Sequence, residues 1–368
     1  MKSVLGIINL DGNESLIKEL VEHRSLASIP FAGRYRIIDF PLSNMVNSGI
    51  GNVGVLLTAK SRSILDHLRS GKDWDLARHR DGLSYLPSVH RNGQQDRGNI
   101  EGMYRNIDFV EHSSERYVLL VRSDAVYNMN FSPVLRFHQN TGADVTVVYN
   151  TVFGEQQGAC TLLEMADNGL VTDMAQKMVS YEGARISMGA YLMEKKTFLD
   201  IVEDTFEHGG TDFMRDGLMQ HFDDFAVYGY EHKGYVARMN STAAYYQANM
   251  DVLRPGVWEE LFMGEDPIYT KSKDEVPVQY KDTASVTNSL IANGCVIRGE
   301  VENSIIFRGV TIGEGAKIKN SIIMQQCDLE DNTLLEHVIC DKNVRITRDK
   351  WLKGAANYPL IVGKNIVI

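Results

Sequence analysis

The loop after the first apolar segment, residues 4–10, holds residue types that bear directly on phosphate binding. A loop that binds a phosphate group needs glycines, so that backbone N–H groups can approach the phosphate, and a basic residue to balance its charge. This loop reads Leu10-Asp11-Gly12-Asn13-Glu14-Ser15-Leu16. It has no basic residue, and its two carboxylates would direct negative charge at a polyanion. We therefore predict a surface turn of ordinary polar residues that is disabled as a phosphate site.

A carboxylate suited to metal binding follows a second apolar segment, residues 117–121. Asp124 comes just after this predicted strand, at the end where open α/β sheets bind ligands. Phosphate-transfer sites usually hold Mg²⁺ through one or two carboxylates together with substrate oxygens. We expect Asp124 to face such a site, and the alternative is a helix cap.

The elements around these residues alternate between strands and helices. Apolar runs at 4–10, 53–57, 117–121 and 143–148 predict strands, and segments such as 41–46 and 61–68 predict helices. Gly49 and Gly71 stand where helices should stop. This alternation predicts an α/β domain over residues 1–251, with a mostly parallel sheet covered by helices.

The pattern changes after residue 251. Prolines and charges punctuate residues 252–284, which predicts a linker or crossover. Within residues 289–346 short triplets that each contain an apolar residue recur every five to seven residues with glycines between them, as in 295–297, 304–306, 310–312, 317–319 and 321–323, and we assign residues 285–368 to this domain. This rhythm predicts a parallel β-helix; the alternative is a small β-sandwich, whose strands are usually spaced more widely.

The bulk composition limits the partners. A length of 368 residues allows two domains, and the formal net charge of −10 argues against nucleic acid or an anionic membrane surface. No apolar run approaches the roughly 18 residues of a membrane span. The cysteines are scattered and form no C-x-x-C pair, so we predict buried free thiols in a reducing cytoplasm, at Cys160, Cys295, Cys327 and Cys340.

One long motif carries a resemblance to a known family. Residues 33–44 read G-R-Y-R-I-I-D-F-P-L-S-N, and residues 47–50 read N-S-G-I. This run closely resembles the bacterial glucose-1-phosphate adenylyltransferases, also called ADP-glucose pyrophosphorylases. The resemblance implies a Rossmann-like nucleotidyltransferase domain and a C-terminal left-handed β-helix. The implied reaction converts ATP and glucose 1-phosphate to ADP-glucose and pyrophosphate, at the entry to glycogen synthesis.

The departures from the family pattern affect the ATP and metal sites. The family loop reads G-G-x-G-x-R-L, and by the resemblance Ser15 stands in place of its arginine. The family holds Mg²⁺ through two carboxylates: Asp124 matches one, and Arg238 replaces the other. A fixed cation about 4 Å from a divalent ion would cost several kcal/mol even at an effective dielectric constant near 20. We therefore expect this chain alone not to bind Mg²⁺ functionally.

The positions that serve the sugar phosphate in the family are better retained. The resemblance places Lys177, Ser187 and Gly158 at the glucose 1-phosphate site, and Arg97 with Gly98 as the vestige of a nucleotide site. For Lys177 the alternative is a solvated surface lysine, and for Ser187 it is buried strand packing. Whether glucose 1-phosphate still binds stays open.

The resemblance also implies a regulatory loss, because Leu26 replaces a family lysine implicated in binding phosphorylated effectors. Together these losses favour the GlgD type of the family, a non-catalytic or weakly active chain that regulates a catalytic subunit within a heterotetramer. Exposed coil faces of the β-helix, such as residues 305–307, would favour that assembly.

Two alternatives remain. In the first, the chain is an active enzyme that takes its ATP-binding cations from Arg97, Arg105 or Arg122. In the second, it is a stand-alone sugar-phosphate sensor. A hexapeptide-repeat acyltransferase is set aside, because the single histidine after residue 232, His337, lacks the H-G-x-x-I-G context of such enzymes.

Overall fold

The computed structural model of the protein describes residues 1–10, 12, 17–87, 98–152 and 156–368. Contacts divide the chain into two compact units that are not continuous in sequence. The first unit comprises Met1–Asn13, Ile38–Val236 and Glu265–Tyr269, and the second comprises Glu14–Ile37, Ala237–Gly264 and Thr270–Ile368. The domain boundaries at residues 251 and 284 stay a prediction.

The part of the chain before residue 263 mixes strands with helices. Its elements are β1 (Val4–Asn9), α1 (Lys18–Val21), β2 (Pro30–Phe31), β3 (Tyr35–Arg36), α2 (Asp39–Asn47), β4 (Asn52–Leu56), α3 (Arg62–Leu68), β5 (Gly82–Leu86), α4 (Gly98–Arg105), α5 (Ile107–Glu111), β6 (Tyr117–Arg122), β7 (Ala125–Val126), α6 (Ser132–Thr141), β8 (Val145–Thr151), β9 (Gln156–Met165), β10 (Val171–Ser180), β11 (Arg185–Glu194), α7 (Lys195–Glu207), β12 (Val227–Glu231), β13 (Ala237–Arg238), α8 (Thr242–Asp251) and α9 (Pro255–Phe262). Short 3₁₀ turns lie at Leu26–Ser28, Lys72–Trp74 and Phe222–Asp224, and a π-helical segment at Phe213–Leu218.

The rest of the chain is built from short strands. These are β14 (Gln279–Tyr280), β15 (Ser285–Thr287), β16 (Leu290–Ile291), β17 (Val296–Ile297), β18 (Glu300–Glu302), β19 (Ile305–Ile306), β20 (Thr311–Ile312), β21 (Lys317–Lys319), β22 (Ile322–Ile323), β23 (Asp328–Leu329), β24 (Leu334–Glu336), β25 (Val338–Cys340), β26 (Arg345–Ile346), β27 (Trp351–Lys353) and β28 (Leu360–Val362). The residues described include no helix with the length and apolar composition that a membrane crossing requires.

A nine-stranded sheet forms the core of the first unit. Strands β5, β4, β1 and β6 are parallel neighbours, and β12 runs parallel to β8. Strand β11 is antiparallel to both β6 and β8, and the hairpin β9–β10 lies beyond it. Strand β1 is buried along its whole length, as expected for a parallel strand covered on both faces. The predicted mostly parallel α/β sheet is confirmed.

The predicted strands of this domain correspond to β1, β4, β6 and β8, with their ends shifted by a few residues. The apolar-run pattern does not predict the hairpin β9–β10. Strand β10 lies at an edge of the sheet and mixes polar with apolar residues, so it leaves no continuous apolar run in the sequence. Its pairing with β9 is a property of the tertiary structure.

Three five-stranded parallel sheets form the faces of a left-handed parallel β-helix, which confirms the second predicted architecture. Equivalent apolar residues from successive coils stack in its interior, as Ile297, Ile312 and Leu329 do. The turns between faces need backbone with positive φ, and several are made by asparagine, which tolerates that conformation better than most residues do. Asn288 and Asn303 also bond side chain to side chain at 2.6 Å.

Two expectations about the β-helix domain and the cysteines need correction. Residues 305–307 are completely buried, so they present no exposed coil face. Within the second unit, Ile306 belongs to the interior core of the β-helix, and a Cβ at Gly33 of the N-terminal segment would lie 4.0 Å from the side chain of Ile305. Cys295, Cys327 and Cys340 are buried free thiols as predicted, whereas Cys160 on β9 is half-buried.

Candidate functional site

The carboxyl ends of β1 and β6 meet at one edge of the large sheet. In their parallel pairing Asn9 lies opposite Arg122, and the backbone N–H and hydroxyl of Ser123 both donate to the Asn9 carbonyl at 3.1 Å. The predicted phosphate loop leaves the sheet from this edge. Leu10 is buried and Gly12 is half-buried, while Asp11, Asn13, Glu14 and Ser15 lie outside the described residues.

Asp124 lies at this edge and is engaged by an arginine of the preceding strand. Arg122, the last residue of β6, donates from Nη2 to Asp124 Oδ2 at 2.5 Å. Asp124 is followed by strand β7 rather than by a helix, so the helix-cap alternative is wrong. The carboxylate and the guanidinium are about one quarter to one third exposed, at 26% and 35%.

Strand β11 supplies the next wall of the edge and carries the predicted Ser187. The strand bulges between Ser187 and Ala190, with Gly189 at a φ of +69°. The Ser187 hydroxyl accepts from the Gly189 N–H at 3.1 Å and shares a hydrogen bond with the Tyr191 hydroxyl at 3.2 Å. Ser187 is buried, so it is both part of the strand packing and fixed in orientation at the bulge.

The pKa of Tyr191 responds to Ser187, Arg122 and Asp124, which places these residues close together. Burial raises the pKa of Tyr191 to about 12, while the Ser187 hydrogen bond and the Arg122 charge lower the same pKa. The carboxylates of Asp212 and Asp124 act in the raising direction. Charges from β6, from the loop after it and from the region of Asp212 therefore converge on one buried phenol.

The other predicted sugar-phosphate residues lie on the β9–β10 hairpin. Lys177 is exposed on β10, and Gly158 is buried on β9 with a φ of +114°. Because β9 lies between β10 and β11, Lys177 is two strands, or about 10 Å, from the strand of Ser187. The structure does not place these two residues side by side.

Of the two residues predicted as the vestige of a nucleotide site, the structure describes Gly98 and not Arg97. Gly98 begins α4 with a φ of +69°, and a Cβ there would lie 2.2 Å from the Thr211 carbonyl oxygen. Glycine is thus required at this position by the backbone itself. Arg97 lies outside the described residues. Arg105, at the other end of α4, donates to Glu101 Oε1 at 2.6 and 2.9 Å.

Comparison with known proteins agrees with this architecture. The nucleotidyl transferase family model matches residues 17–258, and the GlmU-like C-terminal hexapeptide model matches residues 275–352. The glycogen biosynthesis protein GlgD of Bacillus subtilis (strain 168) is 36% identical over 99% of this chain and 96% of its own length. The protein of the same name from Geobacillus stearothermophilus is 38% identical over 99% and 97%. The chain belongs to the glucose-1-phosphate adenylyltransferase family, in its GlgD type.

Relatives named for the enzyme itself are also similar. A glucose-1-phosphate adenylyltransferase of Clostridium botulinum (strain Eklund 17B / Type B) is 32% identical over 87% of this chain and 84% of its own length. One from Acetivibrio thermocellus is 29% identical over 97% and 85%. The adenylyltransferase scaffold is therefore retained over nearly the whole chain.

The magnesium ion that this family uses does not fit the donor set seen here. The described parts of the chain contain no group of three or more histidine, cysteine or carboxylate side chains that could hold a metal ion. Asp124 is already bound to Arg122, and Arg238, which the resemblance places at the position of the second family carboxylate, lies half-buried on β13. No step of the family reaction is therefore assigned to a metal ion in this chain.

The second unit contains the position of the family's effector lysine. Leu26 is buried in the 3₁₀ turn Leu26–Ser28, which excludes any direct contact with a charged ligand there. Two residues earlier, Arg24 donates from Nε to the Leu20 carbonyl at 2.8 Å and forms a buried salt bridge with Asp341.

A set of cations surrounds this salt bridge, and no motif in the sequence predicts it. Burial lowers the pKa of Lys342 to about 7, and the nearby charges of Arg36 and Arg24 add to this effect. The pKa of Lys273 is also lowered, chiefly by burial and then by Arg308 and Arg36. We call these five residues the basic cluster: Arg24, Arg36, Lys273, Arg308 and Lys342. They come from distant parts of the chain, so only the folded unit reveals them. Their combined charge suits an anion.

Proposed function

We propose that this chain is the GlgD-type partner of a catalytic glucose-1-phosphate adenylyltransferase subunit in cytoplasmic glycogen synthesis. On its own it has little or no catalytic activity. It joins the catalytic chain in a hetero-oligomer, a heterotetramer by family analogy, and tunes that chain. The names of its relatives, glycogen biosynthesis protein and glucose-1-phosphate adenylyltransferase, support the pathway and the reaction family, and the hetero-oligomer is our inference from the family resemblance.

The observation that carries the proposal is that two of the three arginines considered for an alternative ATP site are engaged by carboxylates; the third, Arg97, lies outside the described residues. Arg122 is bound to Asp124 and Arg105 to Glu101. An active enzyme needs a cation at the departing pyrophosphate, and by analogy such an arginine is worth about 10³–10⁵ in rate. The loop after β1 is acidic in sequence and Arg105 and Arg122 are paired, so the described part of the chain keeps a scaffold for the reaction with these two cationic charges already compensated.

The regulatory part of the proposal is supported by the basic cluster. A chain that binds a charged effector can change the affinity or the rate of its catalytic partner, because the two binding equilibria are linked. Leu26 removes the usual family contact, so any effector of this chain would be held by the basic cluster.

Exposed apolar side chains near the end of the β-helix support assembly with another chain. Trp351 and Tyr358 are 77% and 81% exposed, and Val367 is 64% exposed. Large apolar groups gathered at one end of a domain commonly mark a protein interface. The terminal coil also ends the parallel sheets, and unpaired strand edges favour burial.

The proposal is tested by assaying three samples: this chain, its presumed catalytic partner, and the two co-expressed. The readout is pyrophosphate release with Mg²⁺, ATP and glucose 1-phosphate, together with a sizing column. We expect a mixed complex whose activity or effector response differs from that of the partner alone. Turnover by this chain alone at the level of the catalytic subunit would refute the proposal, as would two subunits that elute separately across concentrations.

A matched variant sharpens the assembly test. The double substitution Trp351→Ser/Tyr358→Ser should weaken the mixed complex, because it removes two large apolar contacts without touching the core. Lys317→Ser, also an exposed position of the β-helix, serves as the control and should leave the complex intact.

A second candidate function is a stand-alone sugar-phosphate sensor. The buried and oriented hydroxyl of Ser187 favours it, because a fixed polar group at a sheet edge can still recognise a sugar. Calorimetric titration of this chain alone with glucose 1-phosphate tests it. Binding that is lost in Ser187→Ala would support the sensor, and an absence of heat with the wild-type chain would exclude it.

A further inference from the structure

We infer that the guanidinium of Arg122 is the resident cation at Asp124, standing in for the divalent metal of the family reaction, so that this chain binds no metal ion there. The inference rests on the proposed function only in taking this sheet edge as the former reaction site. It goes beyond the replacement at Arg238, because Arg122 matches neither family carboxylate and acts by occupying the one that is left.

The first support is the contact itself. Arg122 ends β6 next to Asn9 of β1, so its backbone is fixed by the parallel sheet at the edge from which the loop departs. From there its Nη2 reaches Asp124 Oδ2 at 2.5 Å. Both groups are partly buried, which reduces the screening of their attraction by water and salt relative to a fully exposed pair. The carboxylate is thus neutralised by a cation of its own chain.

The second support is the way the neighbouring strand accommodates the arginine. The aliphatic stem of Arg122 lies across Gly189, where a Cβ would come within 2.8 Å of Arg122 Cδ and 3.0 Å of Arg122 Cβ. Gly189 belongs to the bulge of β11, and its N–H is held by Ser187 Oγ at 3.1 Å. The strand therefore leaves a groove for the stem, and the stem directs the guanidinium to Asp124.

The third support is the chemistry of the metal. Mg²⁺ demands near-octahedral oxygen ligands and dehydrates reluctantly, so protein sites usually give it one or two free carboxylates. Of the residues described, no three histidine, cysteine or carboxylate groups are placed to hold an ion. A divalent ion at Asp124 would also have to displace, or lie beside, a fixed positive charge. Arg122 occupies the carboxylate that would bind the ion, and its positive charge repels the ion.

The test measures metal binding rather than activity. Mn²⁺ is titrated into the full, chelator-treated chain, and the free ion is followed by electron paramagnetic resonance. Five proteins are compared: wild type, Asp124→Asn, Arg122→Gln, the double variant Arg122→Gln/Asp124→Asn, and Arg122→Lys. Glutamine keeps a polar stem over Gly189 without charge, and lysine keeps the charge as the matched control.

We expect wild type, Asp124→Asn and Arg122→Lys to leave the same fraction of Mn²⁺ free. Arg122→Gln should bind one additional ion, on the order of tenfold more tightly than any nonspecific binding seen with wild type, because a like charge beside the ion is gone. The double variant should lose that ion. Circular dichroism and melting temperature check that each variant is folded, and Arg122→Lys keeps the comparison valid if glutamine destabilises the edge.

Two outcomes overturn the inference. If wild type binds an ion that Asp124→Asn loses, Asp124 is a metal ligand despite its arginine. If Arg122→Gln and the double variant bind Mn²⁺ equally, Arg122 is not what keeps the metal away. Both are measured on this chain alone, whereas the proposed function is measured with the partner. A chain that binds Mn²⁺ yet is inactive alone would defeat only the inference.

Discussion

In the β-helix each coil repeats the residue types of the coil before it, whereas at the sheet edge around Asp124 every residue comes from a different strand and meets a different neighbour. Interior positions such as Val301, Ile318 and Leu335 are interchangeable apolar residues in one stack. At the edge, Arg122, Asp124 and Gly189 each have a distinct task, and none could take another's place.

This difference teaches where a protein can lose one function and keep its fold. A repeated scaffold is stabilised by many similar contacts, so its sequence must keep its period. A reaction site depends on a few charges, so under our inference one arginine in place of a metal ion would change the chemistry of this edge while the sheet stays intact. Paired charges appear in both regions, and burial decides what they contribute. Four substitutions probe this contrast, from the largest expected effect to the smallest.

The largest loss of folding stability is expected when the buried salt bridge of the second unit is broken. Arg24 and Asp341 are 7% and 3% exposed, so Asp341→Asn would leave a buried guanidinium uncompensated and lower the free energy of unfolding by about 3–5 kcal/mol. Urea denaturation measures it. The control is Glu336→Gln, whose carboxylate pairs with exposed Lys353 at 2.7 Å and should show no clear loss. Equal losses would mean that burial does not separate the two pairs.

The next effect concerns the stack inside the β-helix. Ile318 is 1% exposed and lies between equivalent residues of the coils on either side, so Ile318→Ala should lower the free energy of unfolding by about 2–5 kcal/mol through lost burial and a cavity. Lys319→Ala on the same strand, with its side chain exposed, should change it by no more than about 0.5 kcal/mol. Chemical denaturation measures the free energy of unfolding of both variants. A loss for Ile318→Ala no larger than that for Lys319→Ala would show that the neighbouring residues relax to fill the cavity.

A smaller effect is expected at the bulge that accommodates Arg122. Both Gly189 and Gly183 have positive φ, at +69° and +80°, so alanine strains either one. Only Gly189 is crowded, because nothing lies within 4 Å of a Cβ at Gly183. Gly189→Ala should therefore cost about 1–2 kcal/mol more than Gly183→Ala in thermal or urea unfolding. Indistinguishable variants would argue that the Arg122 stem moves aside freely.

The smallest effect, when counted per unit of pH, is a pH dependence from the basic cluster, with a slope of at most about 1.4 kcal/mol per pH unit for one proton. Burial, Arg36 and Arg24 lower the pKa of Lys342 from 10.5 to about 7, while Asp341 opposes them and Lys273 adds to the lowering. Between these values the unfolded chain holds a proton that the folded chain has lost, so the free energy of unfolding should rise with pH from about 7 towards 10. Urea unfolding across that range measures the slope, and Lys342→Met should flatten it. A slope unchanged by the substitution would assign the titration to another group.

The motifs and the two periodicities predict much of this protein before any coordinates. Alternating apolar segments predict β1, β4, β6 and β8, because parallel strands buried on both faces must be apolar throughout. The short repeated triplets predict the β-helix, because each coil must place an apolar residue inside at the same step. The run at 33–44 identifies the family, and the acidic loop with Arg238 indicates the loss of ATP chemistry.

What the sequence by itself determined, then, is the fold class, four strands of the large sheet and the family, since these depend on local pattern and residue type; the loss of catalytic groups stays a prediction. The tertiary structure alone decided which charges meet. It packed the stem of Arg122 against Gly189, a residue distant in the chain, and the guanidinium of Arg122 contacts Asp124. It also brought together the five residues of the basic cluster, which lie between positions 24 and 342 of the sequence. Electrostatic interactions depend on distance and burial in space, and neither can be read from spacing along a chain. Asp124, predicted as the remnant of a metal site, forms a salt bridge with Arg122 of the same chain.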